Sequence, residues 1–196
     1  MTIFSYMDIA KEEAKFNEAY GAAMVQWGII EQRLCFWFVY LTQMPETMAR
    51  SMFYDGVTSF APRLRLLGCA ISAAPIPDHS KKVLRTITTK CGKYSSTRNQ
   101  LSHCESKYDM DPASPTFKQL KFFEGAAPHS ETEAALELRH LPIIKENFRE
   151  LARLIMDVYV EFPENNEASL RTLREQVHRL PTSAHDTTPN PNPIKD

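Results

Sequence analysis

Four stretches of this chain repeat apolar residues at alternating steps of three and four, a period that fits an amphipathic helix and not the two-residue alternation of a strand. Trp27, Glu31, Leu34, Phe38 and Leu41 make the first stripe, inside a helical pattern running from about Asp8 to Leu41; Glu31 is its one member that is not apolar. Phe60, Leu64, Leu67 and Ile71 make the second stripe. Leu84, Ile87, Cys91, Tyr94, Arg98 and Leu101 make the third, and Ile144, Phe148, Leu151, Ile155 and Val158 the fourth. Punctuation separates them. Met44-Pro45 closes the first helix, a short helical segment through Met48 and Phe53 ends at Asp55-Gly56, and Pro75 and Pro77 stop the second. Thr58 or Ser59 is placed to cap the second helix, whose Pro62 falls in the first turn, where a missing N–H costs little. Asp78 is placed to cap the third, and Pro142 opens the fourth. The expected fold is all-α, an up-and-down bundle of four antiparallel helices.

A length of 196 residues suits one principal domain. With 43% hydrophobic and 24% charged residues the composition is that of a globular chain and excludes a wholly disordered or collagenous one. The helical domain is expected over residues 1–161. Between its third and fourth long helices, a loop rich in Asp, Pro and Ser from Lys107 to Pro115 precedes two segments, Thr116–Phe123 and Leu136–His140, that are able to pair as a small β-hairpin insertion. Residues 162–180 contain a short amphipathic helix, SLRTLREQVHRL, and residues 181–196 concentrate Pro, Asn and Thr, the composition of a disordered tail.

The formal charge of −1 excludes a globally basic coat protein, so any polyanion partner must be read from a local patch. The longest apolar stretch, Ala22–Leu41, is broken by Gln26, Glu31, Gln32 and Arg33, short of the ~18 uninterrupted apolar residues of a membrane span. No basic segment followed by an apolar run opens the chain, and the cytoplasm is the expected compartment. Cys35, Cys69, Cys91 and Cys104 form no CxxC pair and read as reduced thiols; neither a metal site nor a cofactor is expected. The six glycines form no phosphate loop or dinucleotide fingerprint.

The segment that carries chemistry is Tyr94-Ser-Ser-Thr-Arg98-Asn99-Gln-Leu-Ser-His103, at the end of the third long helix. Arg98 lies on the buried stripe of that helix, where a guanidinium needs a partner, and Glu31 on the first stripe is the natural one. Asn99 and His103, four residues apart, share a different face, which continues a line of small residues through Thr88 or Thr89, Gly92 and Ser96. That line invites close approach of a second copy, which would bring two Arg98 and two His103 side chains into one cleft. Between Ser80 and Cys104 the chain holds Lys81, Lys82, Arg85, Lys90, Lys93 and Arg98 and no acid, a local positive field suited to a phosphate backbone.

The sequence Arg98-Asn99-Gln-Leu-Ser-His103 resembles the Arg-polar-x3-5-His motif of the HEPN superfamily, and Trp27 with Glu31 in WGIIEQRL resembles the Trp-x3-Glu pattern near the start of many of its members. The resemblance spans roughly residues 10 to 160. It implies a helical bundle that forms a homodimer and, in active members, a metal-independent ribonuclease acting as a toxin or in defence, under an antitoxin or regulatory protein. By that resemblance Arg98 and His103 would be catalytic, Asn99 and Glu31 supporting. Lys90 and Lys93 are the expected RNA contacts. Other members keep the fold as non-catalytic dimeric interaction modules, which is the alternative reading here.

The chemistry of these residues suits that activity. Cleaving RNA without a metal requires a proton to leave the 2′-hydroxyl, a proton to reach the 5′-oxygen and charge on the phosphorane to be stabilised. Imidazole, with an ordinary pKa near 6.5, exchanges protons at neutral pH, and guanidinium offers paired donors to phosphate oxygens. Asn99 would orient His103 or hold a phosphate.

Overall fold

A computed structural model describes residues 6–108, 113, 120–124, 136, 138–164 and 166–187. It is helical throughout its body: α1 (Tyr6–Thr42), α2 (Glu46–Tyr54), α3 (Phe60–Ala73), α4 (Asp78–His103), α5 (His140–Glu161) and α6 (Glu167–Arg179). Pro62 and Pro142 each occupy the third position of their helix, where the backbone N–H has no acceptor within the helix. α1 ends where Gln43 turns into the left-handed region at φ 53°, just ahead of Met44-Pro45. Asn166 caps α6, its side chain accepting from the Ala168 and Ser169 N–H groups.

The apolar stripes meet in one core. Trp27 on α1 sets its ring edge-on against Phe60 of α3 at 4.8 Å and tilted against Phe148 of α5 at 5.1 Å, so one indole joins three helices. Burial of each large side chain of this kind contributes roughly 1.5–3 kcal/mol. α1 and α5 are in register along their length, Trp27 against Phe148, Arg33 donating to the Ala152 carbonyl and Trp37 to that of Ile155. These contacts ascend together, so the two helices run in the same direction. Four antiparallel helices would have opposed them; the short α2 adds one reversal of the chain and restores the parallel sense. α3 and α4, joined by the turn containing Pro75 and Pro77, are antiparallel: Ser72 receives Lys81 at one end, and Leu64 lies beside Gly92 further along.

The one strand pairing among the described residues is antiparallel, β1 (Cys104–Tyr108) with β2 (Leu120–Glu124), Cys104 opposite Glu124 and Tyr108 opposite Leu120. The segment up to Phe123 therefore pairs with the chain directly following α4 and not with Leu136–His140. His140 instead opens α5. Residues 116–119 lie outside the described residues.

α6 docks along α4 and α5, burying Leu170 and Val177. The chain beyond it does not leave the body at once, as its composition suggests it should: Leu180, Pro181 and Ala184 are buried, and backbone carbonyls hold them there. Lys90 Nζ donates to the carbonyls of Leu180 (2.8 Å) and Pro181 (3.1 Å), and Asn147 Nδ2 to those of Ala184 (2.9 Å) and Asp186 (3.0 Å). Residues 181–187 thus form a strap across α4 and α5. The expected tail over 188–196 lies outside the described residues. No helix among the described residues is long and apolar enough to cross a membrane.

Candidate functional site

Glu31 sits in the C-terminal third of α1, and the antiparallel α3–α4 pair brings the first turn of α3 and the last turns of α4 to it. Its carboxylate is fully engaged. The Trp27 indole N–H, one turn earlier on α1, donates to Oε1, and Arg63 Nη1 donates to Oε2 at 2.9 Å. Arg98 Nη2 stands 4.0 Å from Oε1, at the outer limit of an ion pair. The close partner of Glu31 is therefore Arg63, a residue outside the expected set, and Arg98 takes second place. Arg63 is anchored on every side: Nε donates to the Val57 carbonyl (2.9 Å), Nη2 to that of Tyr54 (3.3 Å), and the guanidinium lies 5.3 Å from the centre of the Tyr54 ring. A guanidinium that rigidly held belongs to the frame of the fold.

Arg98 is held differently. Its side chain keeps 29% of its exposure, against 14% for Arg63 and 15% for Glu31. Its Nε is buried with no hydrogen-bond partner among the described residues, while Nη1 donates to Asn99 Oδ1 at 3.2 Å. One carboxylate thus faces two guanidinium groups, leaving one positive charge in excess, and the less restrained of the two reaches the surface beside Asn99.

Asn99 and His103 are exposed on the outer face of α4, together with Thr89, Lys93 and Ser96. Arg174 and His178 of α6 border this line at Thr89 and Lys93, and Ser96, Asn99 and His103 stay exposed. Gly92 is not part of it: a Cβ there would meet Leu64 Cδ1 at 3.6 Å, which places the glycine on the seam with α3. His103 is the last residue of α4. Five positions along a helix separate Arg98 and His103 by about 140° around its axis, and no hydrogen bond or ion pair among the described residues joins His103 to Arg98, Asn99 or Glu31. A single copy brings Arg98 and Asn99 together and leaves His103 apart.

Of the two lysines expected to meet RNA, Lys93 is exposed and Lys90 is not. Lys90 lies under the strap, with 5% of its surface exposed and its ammonium occupied by two carbonyls. Burial first, and then the charge of Lys93, lower its pKa to about 8. Cys35 and Cys91 are buried free thiols and Cys69 an exposed one. Compared with protein-family models, with curated proteins and with solved structures, the chain matches none.

Proposed function

We propose that this chain is a metal-independent endoribonuclease of the HEPN kind, whose site forms where the α4 faces of two copies meet. The observation that carries this reading is the state of Arg98: half-buried, with no partner for Nε among the described residues and its carboxylate at 4.0 Å, it contributes little to stability, yet it presents a guanidinium beside Asn99 on the exposed side of α4. A buried donor left unpaired costs roughly 1–3 kcal/mol, a cost that a role in binding phosphate explains.

Two copies packed through Ser96, Asn99 and His103, with Thr89 and Lys93 left open beside the interface, would supply what one copy lacks by bringing His103 of either copy to the Arg98–Asn99 edge of the other. The imidazole of His103 removes the proton from the 2′-hydroxyl as its oxygen attacks phosphorus. The imidazolium so formed gives that proton to the 5′-oxygen as the P–O5′ bond breaks. The guanidinium of Arg98 holds the non-bridging oxygens as charge builds on the phosphorane, and Asn99 fixes the direction of that guanidinium. The products are a 2′,3′-cyclic phosphate and a 5′-hydroxyl. Lys93, on the same face, meets the phosphate backbone. An antitoxin or other regulatory protein would act by covering this face.

Incubating purified protein with RNA in the presence of a chelator tests the reading. Wild type should cut and leave cyclic phosphate ends. His103→Ala and Arg98→Ala should each lower the rate by at least about a hundredfold, the lower bound of general acid–base assistance. Intact RNA with wild type, or unchanged cleavage by His103→Ala, would refute it in favour of a non-catalytic dimeric interaction module.

A further inference from the structure

A second basic feature lies away from Arg98. Where α6 runs along α4, the two helices enclose a groove of about 300 Å³ lined by Lys82, Arg85, Lys93, Arg174 and His178 around Thr86, with no carboxylate among the described residues of its wall. The groove is preorganised. Thr86 Oγ1 donates to the Lys82 carbonyl (2.9 Å) and lies 3.4 Å from both Arg174 Nε and His178 Nε2, which fixes the guanidinium and the imidazole of α6 against α4. Its floor is closed by Lys90, itself tied to the strap.

The groove gathers cations that lack counter-charges. Arg50, Arg63, Arg149, Arg153 and Arg171 each stand against a carboxylate. Among the described residues, Lys82, Arg85, Lys93 and Arg174 have none. Their uncompensated field is visible on their neighbour: burial and then Arg174, Lys90 and Lys93 hold the pKa of His178 below its ordinary value. Clustered cations without counter-charges repel one another, and a multiply charged anion relieves that repulsion.

We infer that the α4–α6 groove binds the phosphates of the single-stranded RNA that is cut at the Arg98 and His103 face, acting as an anchoring site distinct from the place of cleavage. The inference rests on the ribonuclease reading. Its geometry is continuous: Arg85 and Lys93 stand on the same exposed side of α4 as Asn99 and His103, and the 18 positions from Arg85 to His103 span about 27 Å of helix. A strand seated in the groove is thereby led along α4 to the motif. Backbone contact of this kind is indifferent to base sequence.

The test uses a 2′-O-methyl RNA of about twelve nucleotides, within the usual footprint of single-strand sites and resistant to cleavage, with binding followed by fluorescence anisotropy against salt. The double variant Arg85→Gln/Arg174→Gln removes two of the cations and neither of the motif residues. It should melt like wild type, bind this RNA about tenfold more weakly at low salt, and lose about 1.4 from the slope of log affinity against log salt, as expected for two phosphate contacts. The His178 ring resonances of the wild-type protein should shift as the RNA is added. Unchanged affinity and slope in the variant, with still His178 resonances and cleavage that depends on His103, would overturn the anchoring site while leaving the ribonuclease reading intact. Wild-type protein that neither binds nor cuts RNA would overturn both.

Discussion

Arg63 and Arg98 share one carboxylate, and their geometries assign them different work. Arg63 makes three hydrogen bonds and an aromatic contact, whereas Arg98 reaches Glu31 only at 4.0 Å. Glu31→Gln removes the counter-charge from both and should cost about 2–3 kcal/mol in urea unfolding, less than the ~3–5 kcal/mol of a fully buried pair because both partners keep some contact with water. Arg98→Gln should cost within about 1 kcal/mol, since a pair this loose adds little. Equal losses from the two substitutions would make Arg98 a structural residue like Arg63. The Trp27–Glu31 spacing predicts a charged group on the apolar stripe and hence a buried partner, which is legible in the sequence. Which arginine fills that place is not, because the choice between Arg63 and Arg98 depends on how α3 and α4 cross α1. A clue was nonetheless present in the first turn of α3, where Arg63 follows Pro62 beside the apolar stripe of Phe60 and Leu64.

At the scale of elements, the long helices are legible because a period of three and four leaves few alternatives, and the prolines fall where helices start or stop. The less legible elements are held by backbone polar groups, which every residue type carries alike. β2 finds β1 through ladder hydrogen bonds, and the strap over residues 181–187 is fastened through its carbonyls, so neither pairing shows in side-chain composition. The strap has a consequence for pH dependence. Lys90 holds its proton with a pKa of about 8 in the fold against 10.5 for a solvated lysine. Between those values the unfolded chain binds a proton that the folded chain has shed, so Lys90 raises stability as pH climbs from about 8 to 10.5, and its contribution is lost as pH falls back to about 8. Other groups titrate in the same range, and comparison with Lys90→Met isolates this one. The stability of wild type should rise relative to that of the variant across the window. A constant difference would mean that the ammonium is not desolvated by the strap.

Among the described residues the molecule is a helical body in which one exposed side of α4 is basic at the groove with α6 and polar at the motif. The cleavage reading depends on two such sides meeting, because within one copy Arg98 and His103 point in directions about 140° apart. Mixing variants tests that arrangement most directly. Arg98→Ala and His103→Ala should each be inactive and dimeric by light scattering. Co-refolding them in equal amounts makes about half of the dimers mixed by random pairing, and each mixed dimer carries one site with an intact Arg98 from one copy and an intact His103 from the other. Cleavage should return to about a quarter of the wild-type rate, with cyclic phosphate ends. A mixture that stays inactive, although subunits have exchanged and wild type cuts the same RNA, would contradict a site shared between two copies.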